Sequence, residues 1–424
     1  MQLAQFTAGG RWTDRLPKPM RRNLRWFWLD GVFAQATESI SLAYTTLYVL
    51  ALGATRAQIG LMSSLSSLSA AVLLLPGAAL AKERGRRKLV CLGGGGAVRL
   101  AMLLLALTPL IFPGPAVVYV MIALVVVREA FTNLVLPAWT ALSADLVPVH
   151  WRGRYFSSRN FAMGIAGMAI TLLVGQVINL VGNPVGYQVA FGLAFVSGLV
   201  SIYCFSHLRE PSSPVAPPEA AAQPQASLLR HVRANPDFIA FCACAAVWNF
   251  SLNVAGPFFN VYVVQNLNGD AGIVGLLSVV SSLASLPGQR VWGPLADRWG
   301  PRRVQLVTSL LIPILPVAWV FVTAPWHIVP INLIAGFLWA GNLLASFNLL
   351  LAISPEDQRP GFTAIYQIVV LASLAVGAAF GGWVVTHFGY PAIFMLSGVG
   401  RLAAALLFAR FVRAGSTKGH ELAE

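Results

Sequence analysis

Asp30, Glu38, Arg99, Arg128, Glu129 and Arg401 stand inside long apolar stretches of this sequence. Ionisable groups are costly in such surroundings, so each is a candidate for work on ions or ligands. Glu38 lies in the middle of the first stretch between Thr37, Ser39 and Ser41, a polar setting in which its carboxyl can take up and release a proton. Arg128 and Glu129 are neighbours in the fourth stretch, about 100° apart around a helix. One of them can therefore face an interior cavity while the other pairs with Arg99 or Glu38. A static buried ion pair that locks helices together is the alternative role for these charges. The second half of the chain has no acid in the middle of an apolar stretch, so proton exchange is expected at Glu38, with Glu129, Arg128 and Arg99 as its partners. Arg401 reads as structural, and Asp30 lies nearer an end of its stretch.

The second half offers a different chemistry. Trp248, Asn249, Asn253 and Asn260 fall in one stretch, Trp339, Asn342 and Asn348 in another, and Tyr366 and Gln367 in a third. Indole and amide groups of this kind bind amphipathic or hydroxylated ligands. Together with Glu38, the expected ligand set is Trp248, Asn249, Asn253, Trp339, Asn342, Tyr366 and Gln367. Indoles also anchor at membrane interfaces and asparagines also bond across helices, so a purely structural role is open for each. No nucleophile–base pair or nucleotide-binding loop is legible, and an enzyme is not expected. The run Gly93 to Gly96 lacks the following Lys-Ser/Thr of a phosphate loop, and close helix packing explains it better. Cys91, Cys204, Cys242 and Cys244 all lie in apolar stretches and read as small packing residues; no metal, disulfide or cofactor is expected.

The elements that position these residues follow from composition. Of 424 residues, 57% are hydrophobic and 10% charged, against about 25% charged in a soluble domain, and the mean hydropathy is +0.71. Twelve apolar runs are legible, at about 26–52, 57–80, 88–112, 116–144, 157–180, 186–208, 238–264, 272–292, 304–324, 328–353, 362–386 and 391–412. They match the length of membrane-spanning helices, and they lack the alternation of barrel strands. The predicted fold is an all-α polytopic membrane protein. The first run follows a basic tail without a small-residue cleavage site and reads as a transmembrane helix rather than a signal peptide.

The net charge is +14 and the pI about 10.3. With twelve spans and a cytoplasmic N-terminus, 25 of the 29 Lys and Arg fall on the cytoplasmic side. That excess predicts cytoplasmic N- and C-termini and accounts for the charge without nucleic acid. Membrane lipids are the expected neighbours of the basic loops, in a prokaryotic inner membrane, and a monomer is expected.

The chain also repeats itself. The segment from Gly60 through Ser63, Ser66 and Ser67 recurs 215 positions later from Gly275 through Ser278, Ser281 and Ser282, and the same offset carries Gly85 onto Gly300 and Arg87 onto Arg302. Pro148 and Arg152 match Pro355 and Arg359 at an offset of 207. Two pseudo-symmetric six-helix halves are predicted, residues 1–208 and 237–424, in a parallel repeat about an axis along the membrane normal. Between them, 209–236 is proline- and alanine-rich and reads as a cytoplasmic linker.

The segment Gly293, Pro294, Leu295, Ala296, Asp297, Arg298, Trp299, Gly300, Pro301, Arg302, Arg303 is a basic, glycine-bounded loop between two runs. It resembles the signature loop of the major facilitator superfamily at every defining position. Its twin at Gly85, Arg86 and Arg87 departs from that pattern, with Lys82 in place of the aspartate and Glu83 in place of the arginine. Arg128 with Pro137, Asp145 and Arg152 to Arg154 extend the resemblance, which covers nearly the whole chain. It implies a secondary active transporter of a small molecule that works by alternating access, with the first helix of the fold lining a central cavity. It also implies that the loop latches the two halves. Asp297 would accept hydrogen bonds at a helix N-terminus, and Arg298, Arg302 and Arg303 would bridge to carboxylates or headgroups. The leading expectation is proton-coupled export of an amphipathic compound, although the Gly-Pro-Gly-Gly signature of many antiporters is absent around Gly164, Gly167 and Gly175. Proton-coupled uptake of a sugar, nucleoside or other metabolite is the alternative, and a non-transporting sensor or lipid-handling protein a further one.

Overall fold

Apolar runs of this length leave the backbone one way to satisfy its own polar groups in lipid, which is to close them into helices. The computed structural model describes residues 16–81, 86–210, 230–355 and 358–412, and its regular structure is helical throughout. The helices are α1 (Lys18–Ala51), α2 (Arg56–Leu80), α3 (Arg87–Ile111), α4 (Ala116–Leu146), α5 (Arg152–Val181), α6 (Val185–Ser206), α7 (Pro236–Ala255), α8 (Ala271–Trp299), α9 (Pro301–Leu311), α10 (Ile328–Ile353) and α11 (Arg359–Phe411). A 3-10 turn at Gly256–Phe258 carries α7 on into Phe259–Asn266, and α9 resumes as Ile314–Trp319.

Helical structure lies on each of the twelve predicted runs. Nine helical stretches among the described residues are long and apolar enough to cross a membrane. The other assignments differ for local reasons. In α1, Glu38 and the surrounding Gln, Ser, Thr and Tyr lower the hydropathy. Turns around Pro313 divide the ninth run into two short pieces. The eleventh and twelfth runs form one helix by hydrogen bonding, bent at Gly389, whose φ of 79° lies outside helical geometry. Lys82, Glu83 and Gly85 of the first basic loop lie outside the described residues.

Helix starts are written in the sequence. Thr55 and Gln58 form a reciprocal capping box at α2. Asn235 accepts from the Phe238 amide at 3.0 Å, just before Pro236, at α7. Asp270 accepts from the Ile273 amide at 2.8 Å at α8.

By packing, the chain forms two compact units, 1–216 with 259–279, and 217–258 with 280–424. In the first, α1 packs on α5 and α6, while α4 packs on α2 and α3. Residues 259–279 belong here by contact rather than with the second repeat. The reason is close approach: an added Cβ at Gly275 would lie 3.1 Å from the Thr171 carbonyl oxygen of α5. In the second unit α11 packs along α7, and α9 packs on α10.

The basic loop is much shorter than the sequence suggests. α8 continues through Gly293, Asp297 and Arg298 to Trp299, and the chain turns at Gly300 alone, where φ is 80°. A glycine free to adopt positive φ followed by a proline suited to the first helical turn makes this one-residue break.

Candidate functional site

In the first unit, a two-armed arginine organises the acids. Arg128 on α4 is buried, its side chain 4% exposed, whereas the Glu38 side chain on α1 is 50% exposed. One terminal nitrogen of Arg128 pairs with Glu38 Oε2 and the other with Glu129 Oε1. The sequence expectation that Arg128 and Glu129 face apart holds for their Cβ atoms. The long guanidinium nevertheless reaches back to its neighbour. Such a bridge holds an exposed acid against a buried cation, so protonating Glu38 leaves Arg128 to Glu129 alone.

Arg99 does not join this group. Its Nη2 donates to Ser201 Oγ at 3.2 Å and its Nε to the Gly198 carbonyl at 3.4 Å, both on α6. Ser201 in turn donates to Asp30 Oδ1 at 2.7 Å, and Asp30 Oδ2 lies 3.7 Å from Arg159 Nη2. Arg159 also donates through Nε to the Phe27 carbonyl at 3.1 Å and lies over the rings of Phe27 and Trp139 at 4.4 and 5.5 Å. Asp30 and Arg159 are both buried. Arg159, near the start of the fifth run, is not among the residues singled out from the sequence. The signal that would have found it is Asp30, an acid inside the first run that needs a buried partner.

In the second unit, α7, α9, α10 and α11 enclose a cavity of about 150 Å³. Trp248 and Trp339 meet edge to face across it at 6.2 Å. Tyr366 stacks on Phe241 at 5.1 Å and shares a hydrogen bond of 3.2 Å with Ser346. Asn249, Asn342 and Gln305 add amides to the wall. Asn342 is held by Thr308 and Ser309 at 3.2 and 3.0 Å.

Three expected ligand residues fall elsewhere: Glu38 in the first unit, and Asn253 and Gln367 in the second. Asn253 donates to the Leu374 carbonyl at 2.8 Å, tying α7 to α11. Gln367 is exposed and is absent from the cavity wall. The hundred-degree step between neighbours on a helix puts Tyr366, but not Gln367, on the inner face.

The basic segment divides in role. Arg302 donates to the Val412 and Ala409 carbonyls at 2.7 and 3.1 Å, closing the end of α11. Asp297, Arg298 and Arg303 make no hydrogen bond or ion pair with other side chains among the described residues. In the first repeat Arg87 pairs with Asp145 at 2.6 Å, and Arg86 precedes the first turn of α3.

These features combine long membrane helices, a charge bridge and a basic one-residue turn at Gly300, whose basic sequence is partly repeated around Gly85. The profile of the Major Facilitator Superfamily matches residues 28–261 and 242–423. The chain belongs to the major facilitator superfamily. It is therefore an integral, multi-pass membrane transporter of small molecules and not an enzyme. The chain is 24% identical over 394 residues to "Multidrug resistance protein MdtG" of Enterobacter lignolyticus, covering 90% of each chain. It is 26% identical over 384 residues to "Multi-drug resistance efflux pump PmrA" of Streptococcus pneumoniae, covering 88% of this chain and 91% of that one. Among solved structures of the superfamily's fold, a D-xylose-proton symporter superposes with a TM-score of 0.68 at 18% identity, over 92% of this chain and 97% of that one. The nucleoside transporter NupG superposes with a TM-score of 0.69 at 14% identity, over 92% of this chain and all of that one.

Proposed function

We propose that this transporter exports an amphipathic small molecule in exchange for protons, with Glu38 as the proton carrier. The Glu38–Arg128–Glu129 bridge carries the reading, because it joins a half-exposed carboxylate to a buried guanidinium that has a second acid in reach. When Glu38 is protonated the bridge to α1 opens, and helix position follows the proton. The aromatic and amide cavity of Trp248, Asn249, Trp339, Asn342 and Tyr366 suits an amphipathic ligand. The efflux pumps of similar sequence support the direction.

In this reading residues 1–208 and 237–424 are the two halves and 209–236 the linker. The protein works as a monomer in a bacterial inner membrane, with both termini cytoplasmic and lipid headgroups near its basic turns. Proton-coupled uptake of a hydroxylated metabolite remains the second reading, favoured by the same Asn249, Asn342 and Gln305 amides. Proteoliposomes with an imposed pH gradient separate the two. Export requires accumulation driven by an opposing proton flow, whereas symport runs with it. In Glu38→Gln, gradient-driven accumulation should fall to the level of passive exchange. Undiminished accumulation in that variant would falsify the carrier role.

A further inference from the structure

The wall of the second-unit cavity is one-sided in its hydrogen bonding. Asn249 Nδ2 donates to the Ala245 carbonyl at 2.8 Å, and Asn342 Nδ2 to the Thr308 and Ser309 hydroxyls at 3.2 and 3.0 Å. Gln305 Nε2 lies 3.5 Å from Ser309 Oγ. Each amide nitrogen therefore has a partner in the protein. The three amide oxygens have none among the described residues, and Gln305 Oε1 is buried without one. Thr308 brings no relief, because its hydroxyl donates back to the Val304 and Gln305 carbonyls of its own helix.

Such a surplus of acceptors has a cost. A buried carbonyl oxygen without a donor forfeits the hydrogen bond it had with water, and a low-dielectric interior makes the loss larger. No charge compensates, because no Asp, Glu, Lys, Arg or His is among the residues lining this cavity. Its other walls are aromatic, with Phe241 and Tyr366 stacked at 5.1 Å and Trp248 and Trp339 edge to face at 6.2 Å. These paired rings leave the open space beside them rather than between them. At about 150 Å³, that space has the size of a cavity that admits a single six-membered ring.

We propose that this cavity selects an uncharged aromatic ring carrying one hydrogen-bond donor, an N–H or O–H, and that Gln305 sets the selection. The apolar body of the ring lies against the aromatic walls. Its donor answers the amide oxygens of Gln305 and Asn342, whose nitrogens share Ser309 Oγ. A ring without a donor leaves those oxygens unanswered and forfeits the difference. An ion would meet no counter-charge in the wall. This deepens the proposed function by naming the donor its ligand must carry, and it rests on the cavity being a ligand site. It does not depend on proton coupling at Glu38.

The probes are phenol and fluorobenzene, rings of similar size of which only phenol carries a donor. Each is titrated into purified protein in nanodiscs, with empty nanodiscs of the same lipid as the blank, and calorimetry reads the binding. Fluorobenzene is the more apolar, so partition alone favours it. Phenol should nevertheless bind saturably and roughly five- to a hundredfold more tightly, the range of one answered buried acceptor. Gln305→Met should erase that preference while fluorobenzene binding is kept. Gln305→Glu keeps an acceptor oxygen but loses the nitrogen beside Ser309, and it should retain the preference. Ala404→Leu, which fills the cavity, should remove saturable binding of both probes. Equal or reversed affinities, no saturable binding of phenol, a preference kept in Gln305→Met, or one lost in Gln305→Glu as well each overturns the proposal. If Gln305→Met fails to fold, the order of the two probes on the unaltered protein and its loss in Ala404→Leu still decide. Equal saturable binding of both probes removes the donor rule but leaves the cavity a ligand site. Gradient-driven flux in Glu38→Gln tests proton coupling separately, so the readings fail independently.

Discussion

Gly31 of α1 sits directly against the guanidinium of Arg159 on α5. A Cβ added at Gly31 would lie 2.5 Å from Arg159 Cζ and Nε. Arg159 has little room to retreat, because its Nε donates to the Phe27 carbonyl and its plane lies over the Phe27 and Trp139 rings. The missing side chain at Gly31 is what admits the charge of Arg159 to Asp30, one residue away on α1.

Gly31→Ala should therefore destabilise the protein. Alanine favours the helix by about 0.5–1 kcal/mol over glycine, but an overpacked site costs about 1–3 kcal/mol. The clash wins, because displacing Arg159 also strips Asp30 of its counter-charge. Thermal unfolding in nanodiscs should show a lower midpoint for Gly31→Ala, and a much smaller change when Gly31→Ala is introduced into Arg159→Met. Equal losses in the two backgrounds would remove Arg159 from the account.

Much of this was legible beforehand, and the exceptions have physical reasons. The helices follow from apolar runs too long for anything else, and the caps at Thr55 and Asn235 from residue types that supply a hydrogen bond where the backbone lacks one. Trp248, Trp339, Asn342 and Tyr366, grouped from the sequence as indole, amide and phenol groups in apolar helices, line one cavity, although interface anchoring and cross-helix bonding were equally open to them. Asn253 and Gln367 were not separable from them, since one residue of rotation decides whether an amide meets a cavity, a carbonyl or the outside. The Asp30–Arg159 pair joins helices more than a hundred residues apart, a distance at which composition and periodicity carry no signal. Arg401 was read as structural because a terminal helix suggested it, whereas only the packing reveals that its Nε is buried without a partner.

Arg302 and Asp297 were expected to act together in a latch, and they stand in different surroundings. Arg302 closes the end of α11 through the Ala409 and Val412 carbonyls, while Asp297 is exposed at the end of α8. Arg302→Gln should cost stability, by about 1–3 kcal/mol for the lost bonds to two carbonyls. Asp297→Asn should leave stability unchanged and act on conformation, shifting the transporter toward the inward-facing state. Thermal unfolding reads the first effect, and labelling of engineered cysteines from either side of the membrane reads the second. Unchanged labelling from both sides in Asp297→Asn would leave the aspartate without a latching role.

Arg128 holds two acids whose removal should have different consequences. Glu38 is on another helix and half-exposed, so its bond to Arg128 joins α1 to α4 and can be reached by a proton. Glu129 is the next residue along α4 and its side chain is 29% exposed, so its bond to Arg128 joins nothing to α4. In the cycle proposed above, Glu129 keeps Arg128 answered while Glu38 is protonated. Glu129→Gln should therefore leave coupling in place but strengthen the hold of Arg128 on Glu38, so that transport needs a lower pH to reach its half-maximum. Arg128→Gln should do the reverse and uncouple flux from the gradient. The measurement is the pH dependence of flux in proteoliposomes for the three single variants Glu38→Gln, Glu129→Gln and Arg128→Gln. A displaced profile for Glu129→Gln beside a flat one for Glu38→Gln assigns the carrier to α1. The opposite pattern would move the carrier one residue past the arginine, onto α4.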